Sequence, residues 1–149
     1  ITLCSFTKLT ASTDGGAIFS QSTGTLTIND PLFSFNSAGG QGGAIDQASG
    51  TLIVSGSSLQ TDCQFEGDEV STNAANGGAL SIQQSASSTS ITLCTFSNLV
   101  VSEYGGAIKS ETSSLLEIVN SRFENNTAQF GGSFAHYGTG SASFTNTNI

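Results

Sequence analysis

Phe33-Ser34-Phe35-Asn36-Ser37-Ala38-Gly39-Gly40-Gln41-Gly42-Gly43-Ala44-Ile45 is the stretch on which the fold reading turns. A Phe, a short polar run, a Gly pair, then a small and an apolar residue follow one another. The same order recurs along the chain. Gly pairs stand at Gly15-Gly16, Gly42-Gly43, Gly77-Gly78, Gly105-Gly106 and Gly131-Gly132, in steps of 27, 35, 28 and 26 residues. Each is preceded by a Phe: Phe6, Phe33, Phe65, Phe96 and Phe123. Phe144 reads as the opening of a sixth copy. The third copy is longer than the others, so it carries an insertion.

Between these landmarks the apolar residues alternate. Leu26-x-Ile28, Leu52-x-Val54, Ile91-x-Leu93 and Leu116-x-Ile118 each keep the two-residue period of a strand. Ser, Thr, Gly and Asn separate them and supply turns. No window sustains the three-and-four spacing of an amphipathic helix. Three short strands per period of 26–28 residues predict an all-β, right-handed parallel β-helix of about five coils, each coil giving one strand to each of three sheets. Coils stacked at the strand spacing of about 4.8 Å would make a rod roughly 24 Å long. One coil cannot bury its apolar face alone, so neighbours complete the core. The Phe, the Ile after Gly-Gly-Ala and the Leu-x-Ile pair are the expected inward ladders. The Gly pair marks a backbone position of positive φ or of close approach between coils.

Composition agrees and excludes other classes. The chain has 149 residues, one domain's worth, with 3 basic and 11 acidic side chains and a net charge of −8. Three cations neutralise few phosphates, which argues against a nucleic-acid partner. The apolar runs are only a few residues long, so no membrane span is expected. Ser and Thr make up about three residues in ten. Ten Phe and only 9% charged residues set the chain apart from disordered sequences. It opens at Ile1 without Met, a basic n-region or an apolar h-region, and reads as a window of a longer polypeptide or a stacking subunit, residues 1–149 forming one segment.

Residues with chemical potential are few. Cys4, Cys63 and Cys94 share one column, two residues before a Phe, and their parity turns them inward as small apolar groups. Cys63 and Cys94 fall in adjacent copies, where a disulfide is open; the buried free thiol is the reading preferred. One His (His136) and no Cys-x-x-Cys pair leave a zinc site short of ligands. Lys8, Lys109 and Arg122 fall in different columns, and the carboxylates read as scattered and solvated. Asp62, Glu66, Asp68 and Glu69 cluster in the long third copy and are a minor calcium candidate. No cofactor, resident metal or catalytic residue is assigned. Asn125-Asn126-Thr127 is a glycosylation sequon with Asn125 as acceptor. Asn36 and Asn126 share a repeat position and suit an internal amide ladder between turns.

The pairing of Phe33-Ser34-Phe35-Asn36 with Gly42-Gly43-Ala44-Ile45, and of Phe123-Glu124-Asn125-Asn126 with Gly131-Gly132, resembles the Phe-x-x-Asn and Gly-Gly-Ala-Ile motifs of chlamydial polymorphic outer-membrane proteins. The resemblance spans most of the chain. Leu9 and Leu99 replace the motif Asn, and Ser133-Phe134 replaces Ala-Ile. It implies a right-handed β-helix of the pectin-lyase-like type in a surface adhesin. The expectation is therefore an extracellular or cell-surface structural segment, an adhesin stalk or fibre subunit rather than an enzyme. Its partners would be further coils, by continuation or end-to-end self-association, and glycans or a cell surface. A polysaccharide-degrading enzyme is the alternative, and a carbohydrate-binding module using Phe19, Tyr104 and Tyr137 is the second.

Overall fold

The computed structural model describes residues 1–58, 62–70 and 76–149, and throughout them the chain is all β. The Phe strands (Ser5–Thr7, Leu32–Ser34, Gln64–Glu66, Thr95–Ser97, Arg122–Glu124) pair in parallel and in chain order as one five-stranded sheet. The strands after the Gly pairs (Ile18–Ser20, Ile45–Gln47, Leu80–Ile82, Ile108–Ser110, Phe134–His136) form a second. The Leu-x-Ile strands (Thr25–Asn29, Gly50–Ser55, Ala86–Thr92, Leu115–Val119, Ser141–Thr145) form the third. The chain is a parallel β-solenoid of about five coils, as the repeat arithmetic requires.

The three-strand expectation missed one short element. Thr10–Ala11, Ser37–Ala38 and Glu69–Val70 pair as a fourth, three-stranded sheet, extended by single bridges from Glu69 to Val100 and from Val100 to Thr127. Strands of two residues carry no alternation long enough to see in the sequence. Phe144 is also corrected. It pairs with Ile118 and occupies the Leu-x-Ile sheet, so it does not open a sixth copy. Its distance from the Gly pair identifies it: Gly131 to Phe144 and Gly105 to Ile118 are the same 13 residues. The extra length of the third copy falls around 59–61 and 71–75, outside the described residues.

The inward ladders are as expected except at Ile91-x-Leu93, where Thr89 and Ile91 take the two ladder positions in register with Leu52 and Val54 and Leu93 turns the corner beyond the strand. Phe33, Phe65, Phe96, Ile45, Leu80, Ile108, Leu52, Ile28 and Ile118 have no exposed surface. Five Phe rings, from Phe6 to Phe123, stack with centroids 4.7–4.8 Å apart and planes within 7–9° of parallel. That separation is the strand spacing itself, so the sheet sets the ring spacing. It exceeds van der Waals contact, so the rings slide into the offset arrangement that aromatic quadrupoles prefer.

Each coil turns at residues of left-handed conformation, and these also form columns. Lys8, Phe35, Gly67, Asn98 and Asn125 end the Phe strands at φ of 56, 53, 61, 56 and 52°. The first Gly of each pair, at φ of 62–64°, makes a second corner. The second Gly serves differently. A Cβ on Gly16, Gly43, Gly78 or Gly106 would run into the carbonyl oxygen of the matching Gly in the next coil. One Gly is thus needed for its φ and the other for its missing side chain. At the first corner column, Asn tolerates this φ better than Lys. Lys8 is exposed, so its side chain has no core packing to lose. We expect Lys8→Asn to stabilise the protein by about 1 kcal/mol. Thermal unfolding of that variant, with a rise of roughly 2–4 °C, is the check.

The cysteine reading is corrected as well. Cys63 and Cys94 are joined by a disulfide between adjacent coils, with their Cα atoms 4.7 Å apart. Equivalent residues of stacked parallel strands stand at that distance, which lies inside the range a disulfide bridges. Cys4 remains a free thiol.

Candidate functional site

The middle residue of each Gly-Gly strand has the parity opposite to the core. In register these are Phe19, Asp46, Ser81, Lys109 and Ala135. Outward residues of a solenoid normally meet water. Here Phe19 is half exposed, but Asp46, Ser81, Lys109 and Ala135 are buried. Two raised columns wall them in. On one side run Gln41, Asn76, Tyr104 and Phe130, connected by single bridges, with Asp14 Oδ1 accepting from the Gln41 amide at 3.0 Å. On the other run Gln83, Glu111 and Tyr137, each donating its backbone N–H to the coil before. The result is a trough along the outer face of the Gly-Gly sheet.

Its floor is knitted by side chains. Gln83 Nε2 donates to Asp46 Oδ2 at 2.7 Å. Ser81 Oγ and Lys109 Nζ both donate to Gln41 Oε1, at 3.1 and 3.2 Å. Lys109 Nζ also pairs with Glu111 at 2.9 Å. Asp46 Oδ1 is buried without a partner. Burial pushes the Asp46 carboxyl up to about 6, the neighbouring Ser81 hydroxyl and the Gln83 amide oppose the rise, Asp14 adds to it and Lys109 reduces it.

At the end of the trough lies a cleft of about 380 Å³ lined by Asn76, Glu103, Tyr104, Lys109, Glu111 and Tyr137. Tyr104 stacks on Phe130 at 5.1 Å and meets Tyr137 edge-on at 4.8 Å. Phe130 and Tyr137 are about half exposed. A second depression, lined by Gln84, Glu111, Tyr137, Gly138 and Thr139, shares two of these residues. Together they present aromatic rings and carboxylates on a rigid sheet face.

The sequence reading had the carboxylates scattered and solvated. Asp46 and Asp68 depart from it, both with no exposed surface. Alignment on the Gly pairs places Asp46, Ser81 and Lys109 in one column, and that signal is present in the sequence. The calcium candidates do not converge. Asp68 turns to Asn36, Asp62 lines a separate depression with Asp30, and among the described residues no three His, Cys, Asp or Glu side chains are placed to hold a metal ion. His136 is held at both nitrogens, Nδ1 against Ser110 Oγ and Nε2 against the Gly140 carbonyl, each at 3.2 Å. The carbonyl can only accept, so Nε2 carries a proton. Asn125 sits exposed at its left-handed corner. Its neighbour Asn126 is fixed, accepting from the Leu99 amide and donating to the Phe96 carbonyl, both at 3.1 Å.

No family model, curated protein or solved structure matches the chain. Among the described residues no helix is long and apolar enough to cross a membrane.

Proposed function

We propose that the chain is a structural segment of an extracellular or cell-surface protein, an adhesin stalk or fibre subunit without catalytic duty. The observation that carries this reading is the allocation of the repeat columns. Phe, Ile, Leu, Gly and the corner residues all serve stacking, and the polar trough is tied down by its own hydrogen bonds. Asp46, the carboxylate a polysaccharide-cleaving reading would use first, is sealed beneath Gln83. The Cys63–Cys94 bridge suits an oxidising compartment. The likeness of the repeats to polymorphic outer-membrane proteins supports the same assignment. The first Leu-x-Ile strand and the last Phe strand are met on their outer sides by Thr2 and Asn148, whereas in the Gly-Gly sheet the first and last strands each pair on one side only. Such edges template further pairing, either with more of the same chain or with another copy.

Electron microscopy and sedimentation of the 149-residue protein over a range of concentrations test this. The reading expects rods in multiples of the roughly 24 Å coil stack, growing with concentration. Compact particles of constant mass at every concentration would overturn end-to-end association.

The Tyr104, Phe130 and Tyr137 cluster beside Glu103 and Glu111 favours a second reading, a carbohydrate-binding surface. Rings that stack on a sugar face and carboxylates that accept its hydroxyls are the required chemistry. A glycan array would decide: binding lost in Tyr137→Ala supports it, and a flat profile removes it.

A further inference from the structure

The column after the Phe corner holds Leu9, Asn36, Asp68, Leu99 and Asn126, as the register of the following residues fixes (Thr10, Ser37, Glu69, Val100, Thr127). Its two Asn side chains work identically. Each accepts, through Oδ1, the backbone N–H of its column neighbour in the preceding coil: Leu9 to Asn36 and Leu99 to Asn126, both at 3.1 Å. Each donates, through Nδ2, to the Phe carbonyl of that coil: Asn36 to Phe6 at 2.9 Å and Asn126 to Phe96 at 3.1 Å. Asp68 repeats the first half of this pattern. Its Oδ1 accepts the Asn36 N–H at 2.8 Å, and also Asn36 Nδ2 at 2.9 Å. By the column's pattern, the remaining oxygen, Oδ2, corresponds to the donating amide, and the acceptor matching Phe6 and Phe96 is the Phe33 carbonyl. Oδ2 is buried and without a partner, and Asp68 has no exposed surface. A carboxylate oxygen cannot donate, and a buried anion facing a carbonyl is doubly unfavourable.

We propose that Asp68 is a proton latch: in the folded solenoid it is the neutral acid, and its Oδ2–H donates to the Phe33 carbonyl as the Asn amides do to Phe6 and Phe96. Loss of that proton leaves an anion inside the third coil and releases the coil where Glu69 pairs with Ser37 and Val100. The charged groups near Asp68 act in the same direction. Glu66 and Glu69 flank it on its own coil, and the segments stacked on either side, 32–38 and 95–101, contain no titratable side chain. Burial raises the Asp68 carboxyl to about 7, Glu66 adds to the rise, and the Asn36 hydrogen bonds oppose it. A folded value above the unfolded one, about 3.9, means the folded state holds the proton more tightly. The stabilisation is complete below about pH 4 and is lost as pH rises through about 7.

The test uses the full chain with ¹³C-labelled Asp carboxyls, assigned by comparison with Asp68→Asn. The expected result is an Asp68 carboxyl that is neutral at pH 5 and titrates near 7. Asp68→Asn keeps the bond to the Phe33 carbonyl without the proton, so its melting temperature should match the parent near pH 4 and exceed it by roughly 5–10 °C at pH 8. Asp46→Asn is the control, since Asp46 also binds its proton more tightly when folded. A signal that titrates near 4 in the folded protein overturns the latch. So does an Asp68→Asn variant with the same loss of stability from pH 4 to 8 as the parent.

Discussion

Phe65→Ala should destabilise the solenoid by about 3–5 kcal/mol, the usual cost of removing a buried aromatic ring. Phe65 is the third of five rings and has no exposed surface. It stacks on Phe33 at 4.8 Å and on Phe96 at 4.7 Å, so its removal strips one neighbour from each. Each lost stacking contact accounts for about 0.5–1.5 kcal/mol beyond area alone. The cavity cannot collapse easily, because backbone hydrogen bonds fix the coil spacing on both sides. For a chain of this size the melting temperature should fall by roughly 10–15 °C. Phe6→Ala supplies the contrast. Phe6 is only partly buried and stacks on one ring. It should cost no more than half as much, because a solenoid's stability is a sum of coils and nearest-neighbour interfaces. Thermal melts of the two variants side by side are the measurement. Equal losses would mean that the stack does not transmit stability from coil to coil.

The architecture was legible because a solenoid writes each contact several times. Phe6, Phe33, Phe65, Phe96 and Phe123 each recur 8–12 residues before a Gly pair, and pairing at the strand spacing of about 4.8 Å leaves them nowhere to go but onto one another. What was not legible depends on single occurrences or on differences between coils. Phe144 carries the right residue type for the Phe column, and only its count from Gly131 reveals the other sheet. Asp46 has outward parity, which normally means water; that Gln41 and Gln83 wall it in follows from two other columns read together with it. Asp68 resembles any loop acid until it is set in register with Asn36 and Asn126. Once aligned, one atom's difference between an amide and a carboxyl becomes a proton. The corner columns were hidden for a different reason. Leu3, Lys8, Phe35 and Leu93 hold positive φ without being Gly or Asn, so residue type does not announce the turn. Neighbouring coils hold those residues there, and that tertiary constraint overrides local preference.

The disulfide carries the second large effect. Cys63→Ala with Cys94→Ala should cost about 3–4 kcal/mol, the chain-entropy value for a loop closed over a sequence separation of 31. This bridge joins neighbouring rungs of one column beside the Phe stack, so it spans the part of the solenoid with the longest copy. Neither cysteine has more than 1% exposed surface. Both are therefore shielded from reductant while the coils are closed. Two observations check the pairing independently of stability. Denatured without reductant, the protein should take up one alkylating group, at Cys4; after reduction it should take up three. Heated with reductant, it should melt roughly 8–12 °C below its oxidised form. Three alkylations without reductant, in protein from its native source, would place the chain in a reducing compartment and remove the support that the bridge lends to an extracellular site. A single alkylation joined to an unchanged melting temperature would separate the two ideas. The bridge would then be real, and the stacked Phe rings together with the backbone hydrogen bonds between the coils would hold them together without it.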